Sequence, residues 1–177
     1  MTRPVCRILK SFVQQGLVAA RIPNVVRAVR PSAGVILTYH NVVPEGEPPG
    51  GDRSLHLAQA EFGRQLDALR ASHRIVSLAE LLAGPGTSGV FRAAITFDDA
   101  YRGALTAGLE ELNRRDLPCT VFAPPGLLGR PSTWWDALST TEQEGVAPEV
   151  RREALTRARG REEDVRCWAR KEGLDLV

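Results

Sequence analysis

A chain of 177 residues with 43% hydrophobic content carries enough apolar material for one ordinary domain, or for part of a larger one. Its formal net charge of +2 is too small to argue for a nucleic-acid partner, and all but two of its 23 basic residues are arginine, Lys10 and Lys171 being the exceptions. Cys6, Cys119 and Cys167 are odd in number, widely spaced and free of any CxxC pair, which excludes a disulfide framework and a zinc ribbon and fits a reducing compartment.

The first 30 residues carry Arg3, Arg7, Lys10, Arg21, Arg27 and Arg30 and no acid. Val5, Ile8, Leu9, Phe12 and Val13 fall at helical spacing, so 1–30 reads as a basic amphipathic helical segment. It could dock on its own domain, on a partner protein or on an anionic membrane surface. Gln14 and Gln15 interrupt the apolar stretch, which argues against a signal peptide. No run approaches the ~20 apolar residues of a membrane span. The expected location is cytoplasmic or membrane-peripheral.

Val35 to His40 reads as a first buried strand that ends in a polar residue, and Pro44 to Asp52 as a loop by composition. Phe62, Leu66 and Leu69 predict a helix over 58–72. Ile75-Val76 is a short strand, and Ser77 to Glu80 forms a capping box that opens a helix through Leu82. Ala93 to Phe97 is an almost wholly apolar strand, followed by a helix over 101–115 with Leu105, Leu109 and Leu112 on one face. Pro118 to Ala123 predicts another buried strand, after which Gly126 and Gly129 are turn residues. Helices over 134–142, 148–159 and 161–172 complete the chain. Strands alternating with helices imply parallel βα units.

The sharpest feature is the adjacent pair Asp98-Asp99 at the end of that apolar strand. Ligands of parallel α/β folds sit at the carboxyl ends of strands. Two acids there raise one another's proton affinity unless a cation or donor compensates. One reading is a metal ligand beside a general base. The other is a helix N-cap followed by a first-turn acid. The pair alone leaves both open.

Five motifs in order narrow the choice: Leu37-Thr38-Tyr39-His40-Asn41-Val42; Phe62 with Gln65-Leu66 and Leu69; Val76-Ser77-Leu78 with Leu81-Leu82; Ile95-Thr96-Phe97-Asp98-Asp99-Ala100-Tyr101; and Pro118-Cys119-Thr120-Val121-Phe122. Together they resemble the polysaccharide deacetylase family, the NodB-homology domains of carbohydrate esterase family 4, in the branch whose first strand ends in Tyr-His. The resemblance covers about residues 33–138.

It implies a partial NodB-type distorted (β/α) barrel, and hydrolysis of acetyl groups on carbohydrate with zinc or another divalent metal. By that resemblance Asp98 is the general base, Asp99 a metal ligand and His40 the acid that protonates the leaving amine. Tyr101, Trp134 and Trp135 are candidate substrate contacts, the tryptophans lying in a Trp-Trp-Asp block of the kind seen in this branch. Ala100 stands where the family has Gly, which asks for a negative φ there.

The resemblance also implies a later HxxxH pair, yet the three histidines are His40, His56 and His73. Neither His56, after a Gly/Pro loop, nor His73, at a helix end, has that spacing with another histidine. The reading is therefore an α/β domain truncated after about three core strands. It comprises a basic segment 1–30, an N-terminal deacetylase-like part 31–133, and a helical insertion-like segment 134–177 that stops before the histidine motif. Metal binding is expected to be weak or absent and the chain inactive alone. The alternative is a non-catalytic module that binds carbohydrate or a protein partner.

Overall fold

A computed structural model describes residues 34–84, 90–130, 132–140, 145–174 and 176. The basic segment 1–30 lies outside the described residues. The architecture is mixed α/β around a parallel sheet.

Strand β1 (Gly34–Tyr39) runs into the short β2 (Asn41–Val43), and β3 (His56–Ala58) leads into helix α1 (Gln59–Arg70). Then come β4 (Arg74–Ile75), α2 (Leu78–Leu82) and β5 (Arg92–Phe97). A π-helical turn (Ala104–Gly108) continues into α3 (Leu109–Asn113), followed by β6 (Thr120–Val121). Helices α4 (Trp134–Ala137), α5 (Pro148–Arg157) and α6 (Glu162–Lys171) close the chain. Among the described residues no helix is long and apolar enough to cross a membrane.

Strand β5 is the axis of the sheet. All six of its residues are buried, the apolar ones as their composition demands and Arg92 while donating to the Glu80 and Gly84 carbonyls. It pairs in parallel with β1 along its whole length, from Gly34 opposite Arg92 to Tyr39 opposite Phe97. Its other edge is shared: β4 takes Arg92 and Ala93, and β6 takes Thr96 and Phe97.

That division corrects two expectations. The strand expected over Pro118–Ala123 shrinks to Thr120–Val121, and Phe122 is 50% exposed. The first strand is not buried either. Among the described residues β1 has a single neighbour, and Val35 and Ile36 are 40% and 46% exposed.

One core lies against the sheet, built from Val42, Phe62, Leu66, Ile95, Phe97 and Leu112. The rings of Tyr39 and Phe62 meet edge-on at 4.9 Å. Glu111 on α3, buried, accepts from Gln59 and Arg115, and Arg115 also grips Asp67, so α1 and α3 are cross-linked over this core. Ser77 caps α2 through the Glu80 amide as its sequence signature predicts.

The helix expected over 101–115 is interrupted by the π turn, which shifts the phase of its faces. Ala104, Ala107 and Leu112 point inward, while Leu105, expected on the core face, is exposed. Gly103 and Gly108 let this helix press onto β2. A Cβ on Gly103 would stand 2.1 Å from the Val42 carbonyl oxygen, and one on Gly108 3.2 Å from the Phe97 ring.

A second core gathers Trp134, Leu138, Val146, Ala154, Val165 and Ala169 from the three C-terminal helices and the residues flanking them.

Candidate active site at the carboxyl end of the sheet

Register fixes the site. Tyr39 lies opposite Phe97, so the next residue on each strand, His40 and Asp98, leaves the sheet at the same level. The Asp98 amide donates to the Tyr39 carbonyl at 2.9 Å and ties the two strand ends together. His40 Nε2 comes within 4.0 Å of Asp99 Oδ2, both side chains being partly exposed. The three candidates are thus brought together at the carboxyl ends of β1 and β5.

The backbone there turns sharply. Asp99 has φ +65° and Ala100 φ +48°, two successive non-glycine residues in the left-handed region. This overturns the negative φ expected at Ala100: the alanine adopts the conformation that glycine would take freely, at a cost of about 1–2 kcal/mol per residue. Strain of this kind persists where the surroundings over-determine it, and it recurs at functional sites.

Asp99 holds its proton more tightly than an ordinary aspartate. Burial is the largest cause, and the charges of Asp98 and Asp136 add to it against the opposing pull of His40.

Tyr101 and Trp135 belong to a partly buried hydrogen-bond knot centred on Asp136. Tyr101 donates its hydroxyl proton to Asp136 Oδ2 at 2.7 Å, and Trp135 Nε1 donates to the Tyr101 oxygen at 2.8 Å. Thr133 Oγ1 donates to the same Oδ2 at 2.8 Å, and the Asp52 amide donates to Oδ1 at 3.0 Å. His56 Nε2 lies 3.5 Å from Oδ1. Burial works to raise the Asp136 pKa, but these donors outweigh it and hold the carboxyl below the usual range. Burial and the Asp136 hydrogen bond push the Tyr101 phenol well above its ordinary value, so it stays a donor at any physiological pH.

Trp134 departs from the sugar-contact role. It is 4% exposed, and its indole N–H donates to the Gly160 carbonyl at 3.1 Å, which places the ring in the second core rather than on a face where a sugar could stack.

Asp99, Tyr101 and Asp136 line a cleft of about 850 Å³, with Asn41, Arg102 and Arg130 also on its walls. That volume lies within the range of small-molecule sites. The sequence reading did not find His56, Asp52 or Asp136 as parts of the site. Asp52 ends what reads as a generic loop, yet it is buried, accepts from Ser54 and is gripped by Arg151. Gly51 at φ +74° was the available signal, because a Cβ there would meet Asp136 Oδ1 at 2.3 Å.

A divalent cation, which the resemblance implies, needs three or four well-placed donors for tight binding. Among the described residues no three His, Cys, Asp or Glu side chains gather in such a geometry. His40 faces Asp99, His56 faces Asp136, and His73 bonds Ser72 at a helix end. The donors among the described residues therefore do not fit a tight zinc site by themselves.

No protein-family model and no curated protein matches the chain. Its structure is similar to that of a de-N-acetylase from Aggregatibacter actinomycetemcomitans, with 18% identity, a TM-score of 0.47, and coverage of 55% of this chain and 40% of that one. It is also similar to IcaB from Ammonifex degensii, with 22% identity and a TM-score of 0.47 over 82% of this chain and 72% of that one. A third likeness is to BC0361, a polysaccharide deacetylase from Bacillus cereus, with 14% identity and a TM-score of 0.43 over 56% of this chain and 32% of that one. The chain thus spans less than half the length of the first and third. At these TM-scores the likeness decides nothing about this chain's activity.

Proposed function

We propose that the mouth at His40, Asp98 and Asp99 is the base-and-acid part of a site that hydrolyses acetyl groups on carbohydrate. The observation that carries the reading is the parallel register that delivers an imidazole and two carboxylates side by side at the carboxyl end of β1 and β5. Asp98 is suited to take a proton from an attacking water, and His40 to return one to the leaving nitrogen. The motif resemblance supports the same assignment. Asp99 is the carboxylate suited to a divalent cation, with few donors beside it among the described residues.

The short ligand set favours a second reading, in which the same cleft binds carbohydrate without turnover. One experiment separates the two. The chain is titrated with an N-acetylglucosamine oligomer under NMR observation, zinc is titrated by calorimetry, and acetate is assayed at saturating zinc. The proposal expects oligomer-induced shifts at His40, Asp98 and Tyr101, weak zinc binding, and any acetate release abolished by Asp98→Asn. Binding at the mouth with no acetate supports the second reading. Shifts confined to other surfaces would overturn both, and tight stoichiometric zinc binding would refute the shortage of ligands.

A further inference from the structure

We infer that His56 is a positioning residue for this mouth, held between Asn41 and Asp136 with its single proton on Nε2. The inference rests on the reading of His40, Asp98 and Asp99 as the reacting groups, and it adds a residue that none of the motifs contains.

His56 opens β3, which pairs with β2 so that His56 stands opposite Asn41. Its side chain is only 4% exposed. Nδ1 lies 2.9 Å from Asn41 Nδ2, and the other nitrogen faces the Asp136 carboxylate at 3.5 Å. The ring stands edge-on to Tyr101, with centroids 5.6 Å apart at 86°.

These contacts reach both banks of the mouth. Asn41 is the residue after His40, and Tyr101 is the second residue after Asp99. One buried ring therefore ties the strand end carrying the imidazole to the strained turn carrying the carboxylates.

Donor accounting sets the tautomer. An amide NH2 can only donate, so Nδ1 accepts and bears no proton. The neutral ring then carries its proton on Nε2, which faces the Asp136 carboxylate at 3.5 Å without closing a hydrogen bond to it. With the Asn41 amide reversed, Nδ1 would carry the proton, and a second proton would be needed to avoid setting a lone pair against Asp136.

The test is a long-range proton–nitrogen correlation spectrum of the full chain at neutral pH. Expected are an unprotonated Nδ1 and a protonated Nε2 for His56, with one sharp set of ring signals for His40. In His56→Leu the His40 and Tyr101 ring signals should split or broaden while the methyl signals of Ile95 and Val165 stay in place. His56→Gln, which keeps an amide donor toward Asp136, should restore a single His40 set. Asn41→Ala removes only the donor to Nδ1 and should shift His56 toward a mixture of tautomers, a readout that stands even where His56→Leu does not fold. A doubly protonated or Nδ1-protonated His56 would contradict the inference, as would His40 signals in folded His56→Leu that superimpose on wild type. Because none of these readouts requires acetate release, positioning can hold where the deacetylase reading fails, and the reverse.

Discussion

Asp99 and Asp136 are two aspartates near one cleft, and they are built in opposite ways. Asp136 follows its cap residue Thr133 into the first turn of a helix and accepts hydrogen bonds from Tyr101, Thr133 and the Asp52 backbone, with His56 Nε2 at 3.5 Å. Asp99 sits on a left-handed backbone beside another carboxylate, with His40 Nε2 4.0 Å from its Oδ2. Its proton affinity is raised where that of Asp136 is lowered. A carboxylate satisfied by its own protein holds the structure together. One left with strain and unspent negative potential is available for a proton, a substrate or a cation.

The strongest way to break this comparison is to remove the satisfied partner. Asp136→Ala should destabilise the chain by about 3 kcal/mol in urea melts, because it strands three hydrogen-bond donors in a partly buried site. A change below 1 kcal/mol would mean that water replaces the carboxylate without loss. Acid should reveal the same group. Asp136 ionises more readily folded than unfolded, so its stabilisation is complete above the unfolded-state pKa and is lost as pH falls through the lower folded one.

A smaller loss is expected of Gly103→Ala. Its Cβ would collide with the Val42 carbonyl oxygen, a backbone atom unable to swing away, at a cost of about 1–3 kcal/mol in thermal unfolding. An unchanged midpoint would show that the π turn can slide off β2.

Ala100→Gly should have the opposite sign. It relieves the left-handed alanine and stabilises by up to about 1 kcal/mol, since glycine's greater freedom in the unfolded chain offsets part of the gain. Loss of stability would argue that Ala100 is not held at positive φ.

The smallest effect belongs to Asp99→Asn. Asp99 binds its proton more tightly folded than unfolded, so between those two pKa values the native state holds more protons and stability falls as pH rises. The amide removes that slope and should slightly raise the melting temperature at neutral pH while abolishing any cation response. A lower midpoint than wild type would show that the charge is stabilising.

Much of the mouth was legible because it is local in sequence. A run ending in Asp98-Asp99 and another ending in Tyr39-His40 each announce a strand and its terminus, and parallel pairing does the rest. What escaped depends on long-range contact or on a backbone exception. Asp52 meets Asp136 across 84 positions and His56 meets Asn41 across 15, and no period or motif encodes either. Leu109 and Leu112 do face the core, but Leu105 was misassigned because a π turn changes the phase that an α-helical count assumes. The exposure of β1 follows from its having one neighbour among the described residues, whereas its apolar composition alone reads as burial on both faces. Trp134 and Trp135 are adjacent and chemically identical, so only packing could send one into the helical core and the other to Tyr101.

A carbon-detected titration of the aspartate side-chain carboxyls tests the central contrast most directly. The account predicts that Asp99 titrates above, and Asp136 below, the ordinary aspartate value in the same sample. An Asp99 midpoint at or below that value, or the two in reversed order, would contradict it.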